Sequence, residues 1–129
     1  MSNTFIKTVT IFLSLVLIVC HFCAFGVFAT EDAIPISSKA ELNNIRNNLS
    51  GNYYLTCDIE FDESDFVSGG AYYNSGKCFV PIGNGKSPFT GTFDGDGHVI
   101  YDLIIEEEGD NIGLFGVASE GAIIKNVGI

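Results

Sequence analysis

The chain contains no tryptophan and few basic, histidine or proline residues. Its 129 residues include six Lys and Arg against sixteen Asp and Glu, which gives a formal net charge of −10 at pH 7. A nucleic-acid-binding protein neutralises phosphates with clustered Lys and Arg side chains. The charge balance therefore argues against nucleic acid as a partner and against other anionic polymers.

Histidine is also scarce, because His98 is the only histidine beyond residue 29. A zinc site normally needs four ligands, and Cys57, Cys78 and His98 would still lack a fourth. No serine stands in a nucleophile elbow. The paired carboxylates of a glycoside hydrolase would need a longer cleft than so short a chain can build. We therefore expect no catalytic activity and no resident cofactor.

The longest hydrophobic run lies at the N-terminus. Residues 9–29 are almost all apolar, Lys7 precedes them, and no acidic residue occurs before Glu31. This pattern predicts a secretory signal peptide over residues 1–29, cleaved before Thr30. The alternative is an uncleaved anchor, since about twenty apolar residues can just span a bilayer. Both interpretations predict a secreted or cell-surface protein, with membrane contact only through an uncleaved leader.

Beyond the leader, residues 30–129 carry five basic side chains against all sixteen acidic ones and only two cysteines. In an oxidising compartment, Cys57 and Cys78 are expected to form one disulfide. The alternative is two buried thiols, because Cys is among the residue types most often buried. The excess of acid predicts a soluble surface that repels anionic membranes and sugars.

One amphipathic helix is predicted near the start of this segment. Ser38 and Glu41 have the spacing of a capping box, and the apolar residues that follow recur at helical intervals. The pattern stops at Gly51. We therefore predict an N-terminal capping helix over residues 38–49.

After Gly51 the chain changes to short runs of β-branched and aromatic residues separated by Gly, Asn and Asp. The stretch 63–77 between two such runs is rich in Gly and Asn and is predicted to be an exposed loop. Within it, Tyr72 and Tyr73 are candidate binding residues, because exposed tyrosines can stack on sugar rings or partner proteins. The alternative places them in the core and on an amphipathic surface.

Internal repetition suggests the fold. Residues 97–105 align with residues 121–129, and residues 51–59 fit the same frame. Strand-rich repeats, each with a glycine ahead of it, predict stacked coils in which every repeat buries its apolar face against the next. The alternative is an antiparallel sandwich with similar hairpins.

A family resemblance agrees with this interpretation. The blocks that carry it are ISSKAELNNIRNNLSGNYYLTCDIEF, FVPIG, PFTGTFDGDGHVIYDLII, NIGLFG and IIKNVGI. This succession resembles the bacterial surface-protein modules with the GLUG motif, related to segments of IgA-protease-type and adhesin-like proteins. The resemblance implies an all-β fold, a right-handed parallel β-helix opened by a capping helix. The chain departs from the family with Phe79 where Trp is frequent, and with Cys57 and Cys78, which look like a local staple between coils.

The sharpest polar cluster is Asp94-Gly95-Asp96-Gly97. Asp94 and Asp96 are candidate Ca²⁺ ligands, and the acidic residues of the segment 106–110 could lie on the same edge. Asp-Gly pairs also suit a tight turn with positive φ. The turn is the preferred interpretation, and calcium binding is kept as a hypothesis.

Together these features predict a structural or adhesive module of a secreted or cell-surface protein, without catalytic activity. The expected partners are a host or cell-surface protein or glycan, further β-helix coils, or a second copy of the chain. The alternative is the non-catalytic N-terminal part of a larger secreted protease or polysaccharide-processing enzyme. Because the pattern stops at residue 129 without a polar cap, we also expect a truncated chain that is marginally stable or self-associating alone.

Overall fold

Short parallel strands make up most of the regular structure in the computed structural model, which describes residues 32–129. The predicted signal peptide over residues 1–29 lies outside the described residues. The strands are β1 (Ile34–Ile36), β2 (Asn52–Leu55), β3 (Ile59–Glu60), β4 (Thr92–Asp94), β5 (Ile100–Tyr101) and β6 (Ile123–Lys125). One α-helix, α1 (Lys39–Asn44), and three 3-10 turns, Ile45–Asn47, Glu63–Asp65 and Asn74–Gly76, complete the elements of this part of the chain.

The strands form two parallel sheets. The larger sheet has the order β1–β2–β4–β6, and the smaller one pairs β3 with β5. Tyr53 of β2 lies opposite Phe93 of β4, which in turn lies opposite Ile124 of β6. Parallel neighbours need long connections, and helix α1 and the long loops provide them here.

The prediction of an all-β fold of right-handed parallel β-helix coils is wrong. The described residues form a small four-stranded parallel sheet, a two-stranded sheet, one helix and isolated 3-10 turns, which is a mixed α/β arrangement. No solenoid is shown within residues 32–129. The antiparallel sandwich is wrong as well, because every pair of named strands is parallel.

The repeat alignment failed because it matched turns and not strand partners. It placed Asp102 over Asn126, and both residues adopt the left-handed conformation, with φ of +55° in each. The strands that precede them, β5 and β6, belong to different sheets. The two segments align because each has a strand followed by the same kind of turn, but the strands do not pair in the way that the alignment implies.

Helix α1 begins where the sequence predicts and ends earlier. Ser38 is the N-cap, and its hydroxyl accepts a hydrogen bond of 3.3 Å from the backbone N–H of Glu41. The Glu41 carboxylate accepts in return from the N–H of Ser37, at 2.8 Å, one residue before the expected partner. The α-helix ends at Asn44 and a 3-10 turn follows, so regular α-helix covers only part of the predicted range 38–49.

Phenylalanine rings dominate the core. The Phe61 and Phe79 rings meet edge to face with centroids 5.7 Å apart, and those of Phe93 and Phe115 do the same at 5.2 Å. Such pairs add about 0.5–1.5 kcal/mol to the effect of burial alone. The largest fully buried side chains are Phe61, Phe79, Phe89, Phe93, Ile36, Leu42, Ile45, Leu55, Ile82 and Ile100.

The predicted exposed loop contributes to this core. Phe66, within the stretch 63–77, is only 6% exposed and stacks on Phe61 with centroids 5.4 Å apart. The loop therefore covers part of the aromatic cluster, and its exposed residues surround the buried side chain of Phe66.

Replacing Phe93 by Ala should lower the free energy of unfolding by about 3–5 kcal/mol, because the buried ring would leave a cavity between neighbouring strands. The matched change Tyr101→Ala removes a ring that is 46% exposed, and should cost no more than about 1 kcal/mol. Urea denaturation of both variants measures the difference. Equal losses would contradict the position of Phe93 in the core.

Candidate functional site

A shallow groove lies between the start of α1, strand β3 and the loop that follows β3. Its volume is about 460 Å³. The residues that line it are Ser37, Ser38, Lys39, Ala40, Asp58, Ile59, Glu60, Asp65, Ala71 and Tyr72. Three carboxylates, one ammonium group, two hydroxyls of serine and one tyrosine thus share a single concave surface.

An ion pair connects two sides of the groove. The Nζ atom of Lys39 lies 2.6 Å from Oδ2 of Asp65, and both side chains are partly buried. This hydrogen bond is the main cause that raises the pKa of Lys39 and lowers the pKa of Asp65. The ammonium group also lies 5.8 Å from the centroid of the Phe61 ring, within cation–π range. The pair therefore ties the first turn of α1 to the loop.

The loop is organised around the same aspartate. Asp62 and Asp65 form a reciprocal capping box at the Glu63–Asp65 turn, where Asp65 Oδ2 accepts from the Asp62 N–H at 2.8 Å. The backbone carbonyl of Asp65 accepts from the N–H of Tyr72 at 2.9 Å. One residue thus holds the turn, the ion pair and the tyrosine in a fixed relation.

Tyr72 and Tyr73 are half-buried, and the structure does not place them on an open surface. The Tyr72 ring packs edge to face on Phe61 with centroids 5.3 Å apart, and burial raises the pKa of its hydroxyl. The carbonyl of Tyr73 accepts from the N–H groups of Gly76 and Cys78. Tyr72 lines the groove, whereas Tyr73 does not. The binding role of the two tyrosines stays a prediction.

The Asp94–Gly97 segment is a turn tied to strand β6. Oδ1 of Asp94 accepts from the Asp96 N–H and from the Asn126 side-chain amide, both at 3.0 Å. Oδ2 lies 3.0 Å from Nζ of Lys125. These contacts, the Asp96 N–H first, lower the pKa of Asp94 to about 2. Asp96 has φ of +49°, as the turn interpretation requires.

Calcium ligation gains no support from this geometry, because the Asp94 carboxylate is directed at three N–H donors of the protein. Glu107, Glu108 and Asp110 line a different depression of about 220 Å³, in which neither Asp94 nor Asp96 takes part. Within residues 32–129, no group of three or more His, Cys, Asp or Glu side chains could hold a metal ion.

The predicted disulfide is absent from the structure, since Cys57 and Cys78 are both free thiols. Cys57 is exposed just after β2, with its sulfur 3.5 Å from the carbonyl oxygen of Ser37. Cys78 is 7% exposed, and its backbone forms an isolated antiparallel β-bridge with Ile105. Sequence spacing does not fix the distance between two cysteines. The alternative of two buried thiols is right for Cys78 only.

His98, which lies just before β5, contacts Asp58, which lies just before β3. Its Nδ1 atom lies 3.2 Å from Oδ1 of Asp58, which also accepts from the N–H of Val99 at 3.0 Å. The Val99 N–H is the first cause that lowers the pKa of Asp58, and His98 adds to it. The histidine therefore has a carboxylate partner, and neither cysteine joins it in a metal-binding cluster.

Two basic residues were missed by sequence reasoning. Lys39 pairs with an acid 26 residues away. Arg46 donates from Nη2 to the carbonyl of Val80 at 2.8 Å, and its guanidinium lies 5.4 Å from the Phe79 ring centroid. No periodic signal reports such long-range contacts. The only available hint is that basic residues are few in a very acidic chain.

These features define a small acidic mixed α/β module with a polar groove at the start of its helix. No protein-family model matches the chain, and no solved structure shows significant similarity to it. Within residues 32–129, no helix combines the length and apolar character that a bilayer crossing requires.

Two known proteins are similar to this chain. Halomucin of Haloquadratum walsbyi is 38% identical over 104 residues, which cover 75% of this chain and 1% of halomucin. A protein of Evansella cellulosilytica, named as a Gly-rich membrane protein, is 30% identical over 105 residues, which cover 81% of this chain and 12% of that protein. The chain therefore spans only a small part of the length of these relatives.

The Asp94 contacts predict a pH effect on stability. A carboxyl whose pKa is lowered in the folded state stabilises the fold above its ordinary pKa of 3.8, and this contribution disappears as the pH falls toward about 2. We therefore expect Asp94→Asn to be less stable than the parent chain at neutral pH, with the difference shrinking between about pH 4 and pH 2.

Urea midpoints measured across that pH range test this expectation. Asp102→Asn is a suitable control, because Asp102 is the same residue type and lies on the surface. A difference between the parent and Asp94→Asn that does not change with pH would contradict the role of the ionised carboxylate.

The free cysteines predict a labelling pattern. A maleimide should modify Cys57 rapidly in the native protein, and Cys78 only after unfolding, because Cys57 is exposed and Cys78 is buried. Peptide mapping by mass spectrometry distinguishes the two positions. Recovery of a peptide pair joined through both cysteines would instead show the disulfide.

Proposed function

We propose that this chain contributes a non-catalytic structural or adhesive module to a secreted or cell-surface protein. The observation that carries the proposal is the pattern of similarity. The matches cover 75% and 81% of this chain but only 1% and 12% of the relatives. A unit of this size therefore recurs as a small segment within much longer proteins, one of which is named as a membrane protein.

The surface charge supports the same role. An excess of acidic side chains keeps a protein soluble and reduces non-specific binding to anionic membranes. The resemblance to surface-protein modules with the GLUG motif implies a role that agrees with this proposal. The β-helix fold that it also implies is not the fold of residues 32–129.

We place the adhesive contact at the groove beside α1. Its lining carries three carboxylates and only one ammonium group, so an anionic ligand would be repelled. A neutral glycan offers hydroxyls that both donate and accept hydrogen bonds, which suits a lining of serine hydroxyls, carboxylates and Tyr72. The groove is shallow, and a contact of this kind would be weak at one site and stronger on a surface that carries many copies.

An adhesion assay tests this proposal. Cells that export the full chain should bind beads coated with a neutral polysaccharide, and should not bind beads coated with dextran sulfate. Tyr72→Phe retains the packing on Phe61 and removes only the hydroxyl. We expect it to weaken adhesion about fivefold, the effect of one lost hydrogen bond.

Tyr101→Phe is the matched control, because Tyr101 is exposed and lies outside the groove. It should leave adhesion unchanged. Equal adhesion by the parent chain and both variants would show that the groove is not the binding site. If the parent chain does not reach the cell exterior at all, the surface role itself is refuted.

A further inference from the structure

The two edges of the four-stranded sheet differ in their ability to accept another strand. At the β1 edge, the carbonyl of Ile36 accepts from the N–H of Thr56, so the backbone groups of Ile36 face β2. Alternation along the strand then turns the backbone of Pro35 outward. Proline has no N–H to donate, so this edge cannot extend the sheet with a complete ladder.

Within residues 32–129, no strand pairs with the outer side of β6. The N–H of Ile123 donates to the carbonyl of Gly91 at 3.0 Å, and the carbonyl of Lys125 accepts from Gly95 at 2.9 Å. Both residues therefore face β4, and the N–H and C=O of Ile124 point away from the sheet. The Ile124 side chain is 40% exposed, although its neighbour in register, Phe93, is fully buried. An apolar strand with unpaired backbone groups is a template for another strand.

We propose that β6 is the surface through which two copies of this chain associate, with the two β6 strands antiparallel about a two-fold axis at Ile124. The outward N–H and C=O of Ile124 then pair with those of the partner's Ile124. No other register offers both groups, because the N–H of Ala122 already donates to Ser119 and Asn126 leaves the strand with φ of +55°. The contact is therefore closed at two copies.

The charges at this edge are compatible with the pairing. Each Lys125 would lie opposite the partner's Ile123, so no like charges face each other, and Lys125 is already paired with Asp94. Residues 121–129 contain no acidic side chain. In a chain with a net charge of −10, this strand is thus a place where two copies can approach with little local repulsion.

A head-to-tail arrangement is less favourable. It would place β1 of one copy on β6 of the next, where Pro35 leaves the Ile124 carbonyl without a donor, and it would continue into a filament. The isologous contact avoids both consequences.

Cysteine cross-linking tests the arrangement. Hydrogen-bonded antiparallel neighbours have Cα atoms about 5.5 Å apart, which suits a disulfide. In the exported full chain, with its own cysteines changed to Ser, Ile124→Cys should give a covalent dimer on mild oxidation. Ile34→Cys on the β1 edge is the control and should stay monomeric.

Sedimentation of the otherwise unmodified exported chain provides the second measurement. The dimer fraction should rise with salt, because screening reduces repulsion between acidic copies. Ile124→Pro removes the outward N–H, which no strand of residues 32–129 uses, and should abolish the dimer. Equal cross-linking at both edges, species larger than a dimer, or a mass that Ile124→Pro leaves unchanged would each overturn the proposal.

Discussion

The parallel pairing of β2 with β4 is the constraint on which the rest of the structure depends. It places Tyr53 beside Phe93, and Phe93 in turn aligns with Ile124 of β6. The approach is close where the strands begin, since a Cβ on Gly91 would collide with the carbonyl oxygen of Gly51. Glycine at position 91 is therefore required for the register, because any side chain there would push the two strands apart.

Local chemistry was predictable from the sequence, whereas strand pairing was not. The Ser38 cap and the Asp94–Gly97 turn depend on residues within three or four positions of each other, and both formed. The repeat frame failed because Asp102 and Asn126 share a turn conformation without sharing a sheet. The predicted disulfide between Cys57 and Cys78 is absent for a related reason. The number of residues between two cysteines does not determine whether their side chains point toward each other.

The candidate site shows the same division. Tyr72 was recognised from its residue type, but its position came from packing on Phe61 and from the Asp65 carbonyl. Lys39 and Asp65 were not recognised, because their contact joins a helix to a loop 26 residues away. A groove assembled by tertiary contacts leaves no periodic trace in the sequence.

The scarcity of basic residues explains how the ionic contacts are distributed. Lys39, Lys77 and Lys125 each pair with a carboxylate far away in the chain. Isolated surface pairs contribute about 0–1 kcal/mol, so their sum does not determine the stability of the fold. Their effect is positional, because each joins two segments that are distant in the chain. In a chain with a net charge of −10, each lysine at such a junction neutralises a carboxylate that would otherwise add to the repulsion among the acidic side chains.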